Sequence, residues 1–390
     1  MKRICFLVDS IFTIGGVQRV TAVIAGALSK EYDVTIVTFD KPEQKDLTIY
    51  QLQDYHIHYQ FFSYPNIHPV KDRLCKAYSY LYRKLLPQCG MTSDIYAHSS
   101  FPSERRKALT AFLQKGQYDV VIGVHAFLAI RLATIRKELG NAKVIGWIHN
   151  SFEALLREGS PYLGTELKYH YGRQLRKSDK VVVLYQQDSE LYKQAFGFLP
   201  VCIYNPLTLK PGKQSDGQNK RFLAVGRFSP KHKGFDLLIQ AFALFAKNHN
   251  DWSLDIVGDG PEKNNLQQLI TDNHVEERIT LHPFTNHIQD YYSSASIYVL
   301  SSRWEGFGLV IVEAMAHGLP IISSDLASSK DILGDFGLFF KNGDIQELAQ
   351  RLEEATHIDW PQKSEEALKI AQRFDISEIV GQWKLLIEKQ

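Results

Sequence analysis

Two glutamates separated by seven residues, Glu305 and Glu313, lie in the stretch SSRWEGFGLVIVEAMAHGLPII, residues 301–322. The first opens a turn, Glu305-Gly306-Phe307-Gly308, and the second sits inside an almost wholly apolar helical run. A carboxylate among Leu309, Val310, Ile311, Val312, Ala314, Met315 and Ala316 is expensive to bury unless something pairs with it. Glycines ahead of a helix let a ligand approach the free N–H groups of its first turn, which favour anions. The segment therefore has the parts to hold both ends of one ligand: an anion at the helix start and hydroxyl groups at the carboxylates. The alternative is that Glu313 emerges on a solvated side, but no other charge lies between Glu305 and Asp325 to mark such a side.

Two cations stand upstream. The strand-like run RFLAVG ends in Gly226-Arg227, and Lys231-His232-Lys233-Gly234 follows. Arg227 and Lys233 fall at the carboxyl end of a strand and the start of a helix, where a fork of donors and a point charge suit a diphosphate. Taken alone, they could equally be solvated surface cations. No D-x-D occurs in the chain, so cations and a helix dipole, rather than a bridging divalent metal, are expected to carry a diphosphate's charge. His149 follows the strand KVIGWI at its carboxyl end, the edge at which open α/β sheets bind ligands, and reads either as a functional group or as a cap. Gly15-Gly16 stands between a strand and a helix. The G-x-G-x-x-G spacing is absent, so a dinucleotide is not favoured and the pair could simply make the turn.

The elements that must position these residues are those of an α/β protein. At 390 residues with 44% apolar content the chain is long enough for two substantial domains. Strands are expected at Arg3–Val8, Asp33–Phe39, Asp119–Val124, Lys143–Ile148 and Lys180–Leu184, nearly continuous in aliphatic residues, as in parallel sheets covered on both faces. Helical patterns fall between them, at Val17–Ser29, Phe127–Leu139 and Thr165–Arg176. Residues 206–220 have a linker's composition, and a second strand–loop–helix series starts at Arg221. The divisions expected are 1–205, 206–374 and 375–390. The last segment is a helix with Asp375 and Glu378 in capping-box spacing and one apolar stripe.

The net charge of +2 gives no case for nucleic acid. Met1-Lys2-Arg3 runs straight into ICFLVDS, too short for a secretory leader, and no apolar run approaches the ~20 residues of a spanning helix. Cys5, Cys75, Cys89 and Cys202 show no metal spacing and read as reduced thiols, so the expectation is a cytoplasmic protein. Between Lys71 and Lys107, eight Lys/Arg against three Asp/Glu are interleaved with Tyr78, Tyr80, Leu81, Tyr82, Leu85 and Leu86. Such a stretch can meet an anionic membrane or receive an acidic acceptor, or it can be an ordinary helix with a basic solvated face.

Gly15-Gly16, His149, Gly226-Arg227, Lys233-Gly234, Gly258-Asp259-Gly260-Pro261 and Glu305-Gly306-Phe307-Gly308-Leu309 with Glu313 occur in an order that resembles glycosyltransferase family 4. The resemblance covers essentially the whole chain, most strongly residues 221–337 and least residues 40–115. It implies the GT-B fold, two Rossmann-like doubly wound parallel-sheet domains facing across a cleft, with the last helix crossing back onto the first domain. It implies a retaining, metal-independent transferase that needs no cofactor beyond its nucleotide-sugar donor, with uridine the expected base. Arg227 and Lys233 would then hold the diphosphate, Glu313 the ribose hydroxyls, and Glu305 the transferred sugar. The N–H groups of Phe307, Gly308, Leu309 and Val310 would serve sugar and phosphate. Gly16 would let the first domain approach the diphosphate, and His149 would reach the sugar. Gln18, where an acidic residue is frequent, and His232 are departures that bear on donor choice.

The resulting expectation is a bacterial enzyme moving a sugar from a nucleotide-diphosphate donor to a hydroxyl of a lipid-linked or cell-surface glycan, in polysaccharide biosynthesis, as a peripheral protein at the inner face of the plasma membrane. Two alternatives share the site: a sugar-nucleotide epimerase of the same architecture, and a non-catalytic nucleotide-sugar-binding partner of another transferase.

Overall fold

In the computed structural model, which describes residues 1–229 and 231–389, two separate sheets account for the aliphatic runs. The first has seven strands: β1 (Arg3–Val8), β2 (Asp33–Thr38), β3 (Ile57–Phe61), β4 (Val120–Val124), β5 (Lys143–Trp147), β6 (Lys180–Val183) and β7 (Val201–Cys202), in the order β3-β2-β1-β4-β5-β6-β7. The second has six: β8 (Arg221–Val225), β9 (Ser253–Val257), β10 (Ile279–His282), β11 (Ile297–Leu300), β12 (Ile321–Ser324) and β13 (Leu338–Phe340), in the order β10-β9-β8-β11-β12-β13. Every pairing is parallel. Parallel strands need crossovers, and helices supply them on both faces, which is why β4 and β11 are buried along their whole length.

Each sheet grows outward from its first strand and then switches direction, between β1 and β4 in one and between β8 and β11 in the other. Such a switch point leaves a crevice outside the carboxyl ends of the strands. Both halves are therefore Rossmann-like, as the alternation of strand and helix patterns implied.

Packing divides the chain into Met1–Asn205 with Ile379–Gln390, and Pro206–Glu378. Gln390, the last residue of the expected 375–390 segment, lies outside the described residues. The final helix, Ile376–Glu388, thus begins in the second unit and continues in the first. There Trp383 is fully buried and stands edge-on to Trp147 of β5, with ring centroids 4.8 Å apart. Lys143 Nζ donates to the Leu386 carbonyl at 2.6 Å, and Lys2 pairs with Glu388 at 2.6 Å. Asp375 accepts from the Ser377 N–H at 2.8 Å, but its own N–H donates to the Gln372 carbonyl, so the Glu378 half of the expected capping box is not needed.

Three expectations are revised. Residues 206–220 have the composition of a loose linker, yet backbone bonds from Leu207 to Phe374 (2.7 Å) and from Ser215 to His317 (3.0 Å) hold them onto the second unit. Polar, Pro- and Gly-rich chain packs well when its N–H groups find carbonyls. The helices expected at 127–139 and 165–176 are shorter, Ala126–Thr134 and Lys168–Leu175, with 3-10 turns at Arg136–Leu139 and Thr165–Leu167. Residues 69–116 form three helices, Pro69–Lys84, Gly90–Ser100 and Ser103–Gly116, with Pro87 and Pro102 in the connections.

Candidate active site

The second unit gathers its functional side chains at the carboxyl edge of β8 and β11, the two strands flanking its switch point. Gly226 and Arg227 follow β8 directly, and Ser301 and Ser302 follow β11. Gly234 caps the helix Phe235–Phe245 with φ 64°, and a Cβ there would lie 2.0 Å from the Ser301 carbonyl oxygen. Only glycine permits that approach, so the Lys233-Gly234 dipeptide is the point where the β8 loop and the β11 loop lock together. The Ser301 hydroxyl donates to the Lys233 carbonyl at 2.9 Å and fixes the same contact.

Locked this way, Lys233 points along the edge to Glu305. Its Nζ lies 2.6 Å from Glu305 Oε1, with the two side chains 14% and 9% exposed. Ser302 Oγ donates to the same oxygen at 2.6 Å. Burial by itself would raise the Glu305 pKa, but the Lys233 charge, the neighbouring His232 and the Ser302 hydroxyl hold it below the ordinary carboxylate range. Glu305 is therefore an anion at neutral pH and accepts hydrogen bonds only. His232 stacks on Trp304 (centroids 4.9 Å apart, 12° between planes) and donates from Nε2 to the Trp304 carbonyl at 3.0 Å. Burial, then the Lys233 charge, lowers its pKa, so the neutral ring clips the Lys231–Lys233 loop beside Glu305. Arg303 adds a second clip, forked onto Asp236 at 2.7 and 2.9 Å.

Arg227 is exposed, and its guanidinium has no hydrogen-bond or ion-pair partner among the described residues. The helix Leu309–Ala316 begins at Gly308, which adopts φ 98° and ψ 48° and caps it with no side-chain hydrogen bond. Among the described residues the N–H groups of Gly308, Leu309 and Val310 make no hydrogen bond. They remain orphan donors at the positive end of a helix, as an anion site requires. Glu313 lies one turn further on and is 2% exposed, so it does not emerge on a solvated side. Tyr292 Oη donates to Glu313 Oε2 at 3.0 Å. His317, four residues on, donates from Nδ1 to the Glu313 carbonyl at 2.7 Å while its Nε2 accepts from the Gly212 N–H at 3.3 Å. Burial holds that ring neutral.

The structure thus brings Lys233 and Glu305 into direct contact, with Arg227 and the open amides of Gly308 to Val310 on the same edge-loops. Ser302, Tyr292 and Asp236 were not singled out as parts of the site from the sequence, and His232 was marked only as a departure bearing on donor choice. Ser302 precedes Glu305 by three residues and His317 follows Glu313 by four, spacings that can signal a local partner. Nothing in the sequence ties Tyr292 or Asp236 to this place.

In the first unit, Gly16 opens the helix Gly16–Leu28 and is exposed. The loop before it is pinned by Tyr50, whose hydroxyl accepts from the Gly15 N–H at 2.6 Å and lies 3.0 Å from the Thr13 carbonyl. His149, just past β5, is 6% exposed and packs on Trp147 with centroids 4.3 Å apart. Its Nε2 is buried with no partner among the described residues, and burial followed by the nearby His125 drives its pKa well down. A neutral imidazole with an unsatisfied buried nitrogen is unfavourable unless a ligand group completes it.

Comparison with known proteins identifies the family and the fold. Residues 14–210 match the model of Glycosyltransferase Family 4, and residues 208–373 that of Glycosyl transferases group 1. A glycosyltransferase of Haemophilus influenzae whose function is uncharacterized is 30% identical over 98% of this chain and 99% of its own length. N-acetylgalactosamine-N,N'-diacetylbacillosaminyl-diphospho-undecaprenol 4-alpha-N-acetylgalactosaminyltransferase of Campylobacter jejuni is 24% identical over 83% of this chain and 82% of its own. Among solved structures, Anabaena HepE in complex with UDP and glucose superposes over all of both chains with a TM-score of 0.71 at 21% identity, which concerns the fold. With two Rossmann-like halves and both family matches in register, the chain belongs to glycosyltransferase family 4 and is a glycosyltransferase of the GT-B fold.

Proposed function

We propose that the protein is a retaining transferase that moves a sugar from a UDP-sugar to a hydroxyl of a lipid-linked or cell-surface glycan, without a metal ion. The observation that carries this reading is the set at the second unit's carboxyl edge: Lys233 held against Glu305 at 2.6 Å, with Arg227 and the amides of Gly308 to Val310, which have no partner among the described residues, on the neighbouring loops. Cations and amide dipoles gathered at one sheet edge can stabilise a diphosphate as negative charge grows on it, and that electrostatic contribution is usually the largest in such transfers. Glu305 keeps Lys233 oriented until the diphosphate arrives, then accepts hydrogen bonds from hydroxyls of the transferred sugar. Glu313 receives the ribose hydroxyls, and His149 Nε2 is the first unit's candidate group for a sugar hydroxyl.

In the step itself, the bond from the anomeric carbon to the diphosphate oxygen breaks. A bond to the acceptor oxygen forms on the same face, and the acceptor's proton passes to the leaving phosphate. The transition state is oxocarbenium-like, as in glycoside hydrolysis. The Campylobacter relative is named for a diphospho-undecaprenol-linked acceptor, which supports an acceptor of that class. The test is turnover: UDP release from UDP-sugars, with and without acceptor. Lys233→Ala should cut turnover by at least ~100-fold and weaken UDP binding, while EDTA should leave the wild-type rate unchanged. Loss of activity on chelation would sink the metal-free reading, and a stereoisomer formed from donor alone would favour the epimerase.

The membrane-surface part of the proposal rests on the helix Pro69–Lys84. Val70, Leu74, Ala77 and Leu81 form one stripe at i, i+4, i+7 and i+11, and all are exposed, Leu74 to 67%. Met91 and Ile95 on the helix Gly90–Ser100 are exposed as well. Arg73 and Lys84 flank the stripe. Arg83 does not serve it, because it pairs with Glu166 at 2.9 Å. Among the described residues no helix is long and apolar enough to cross a membrane. An apolar stripe turned outward with cations beside it suits the surface of an anionic bilayer.

A further inference from the structure

Two guanidiniums in the first unit converge on one aromatic ring, and among the described residues neither forms an ion pair. Tyr64 lies three residues past the carboxyl end of β3. The Arg131 guanidinium carbon sits 5.1 Å from its ring centroid and that of Arg105 5.7 Å. Arg131 also lies 5.7 Å from the Phe101 ring, and its Nη1 reaches the Tyr64 hydroxyl only at 3.5 Å. Among the described residues neither guanidinium has a carboxylate within 4.0 Å, and Arg105 Nε is buried without a hydrogen-bond partner. The adjacent acid, Glu104, is taken by Lys71 at 2.6 Å. Asp9, past the end of β1, makes no ion pair with Arg131 within 4.0 Å among the described residues; burial raises its pKa, and the Arg131 charge only partly opposes that.

Other aromatic rings pack around the Tyr64 ring. Phe39 lies 5.1 Å away and Phe101 stands edge-on at 5.7 Å. Cation–π attraction to a single ring is weak, while two like charges sharing it repel. An oxyanion between them removes the repulsion, and the planar donor forks fit a phosphate or a carboxylate. The place is the carboxyl edge of the first sheet, where an open α/β sheet takes ligands, and it uses none of the residues assigned to the donor.

We propose that Arg105 and Arg131, standing on Tyr64, bind an oxyanion carried by the acceptor, a phosphate or a carboxylate. The inference rests on the glycosyl-transfer reading and makes the acceptor acidic near its reacting end. The full-length protein is saturated with UDP, which fills the donor site, and then titrated with inorganic pyrophosphate, glucuronate or chloride at matched ionic strength while its melting temperature is followed. Pyrophosphate or glucuronate should raise the melting temperature beyond chloride. Arg105→Gln and Arg131→Gln should each weaken that binding by about tenfold or more while leaving the UDP-induced shift intact. A response to pyrophosphate alone identifies a phosphate on the acceptor, and a response to glucuronate alone an acidic sugar. No response to either anion, or a response retained in both variants, overturns the proposal. A missing UDP shift instead counts against the donor reading, and the same anion titration on Lys233→Ala then decides the arginine site separately.

Discussion

At the scale of single residues, the strongest constraint is that Lys233 and Glu305 satisfy each other. Removing one partner of a largely buried pair strands the other charge, at a cost of roughly 3 kcal/mol. Lys233→Ala should therefore lose stability as well as activity, and the two effects separate in the double variant Lys233→Ala/Glu305→Gln. That variant should regain most of the melting temperature and none of the turnover, measured by calorimetry and UDP release. Recovered turnover would show that Lys233 acts only through Glu305. Glu313→Gln keeps the hydrogen bond from Tyr292, so its fold should hold. UDP affinity should fall by about tenfold, the scale of a charge-assisted hydrogen bond. Unaltered UDP affinity by calorimetric titration would contradict the ribose assignment.

At the scale of elements, the site depends on where two loops meet rather than on either loop alone. Gly234→Ala places a methyl against the Ser301 carbonyl oxygen and asks a non-glycine residue to hold φ 64°. It should destabilise the second unit by about 1–3 kcal/mol and slow turnover, because Lys233 shifts with the loop. A wild-type melting temperature would show that the loop relaxes freely. On the helix Pro69–Lys84, burying each exposed leucine contributes about 1.5–3 kcal/mol, against about 1 kcal/mol for each cation near an anionic surface. The apolar stripe should thus outweigh the charges. Leu74→Glu/Leu81→Glu should abolish sedimentation with phosphatidylglycerol vesicles, whereas charge reversal at Arg73 and Lys84 should only reduce it. Sedimentation unchanged in the leucine variant would remove the membrane contact.

At the scale of the whole molecule, stability should depend on keeping several histidines neutral. Burial lowers the pKa of His125, His149 and His170 in the first unit, the last to about 4, and of His232 and His317 in the second. In the unfolded chain each binds a proton below its ordinary value of 6.5. The stability they contribute is therefore complete above that pH and lost as the pH falls toward the folded values. His170 alone should account for about 3 kcal/mol by pH 4. The melting temperature should be flat from pH 8 to 7 and drop steeply between 6 and 4. His170→Gln, which keeps a partner for Ser93 Oγ, should flatten part of that drop. The final helix belongs to the same scale. Removing residues 379–390 strips Trp383, Leu386 and Ile387 from the first unit and should leave it aggregation-prone.

The sequence by itself determined the α/β class, the parallel sheets and the family, because continuous aliphatic runs, glycines at helix entrances and the spacing of Glu305 and Glu313 are local signals. Short-range chemistry also marked Lys233, Arg227 and His149 as worth testing. Only the tertiary structure decided who satisfies whom. Lys233 and Glu305 are 72 positions apart and meet because β8 and β11 are neighbours in the sheet. Tyr292 reaches Glu313, Asp236 holds Arg303, and Arg105 and Arg131 share Tyr64 for the same reason. No periodicity encodes such pairs: they follow from strand order, which is set by burying both faces of each sheet at once.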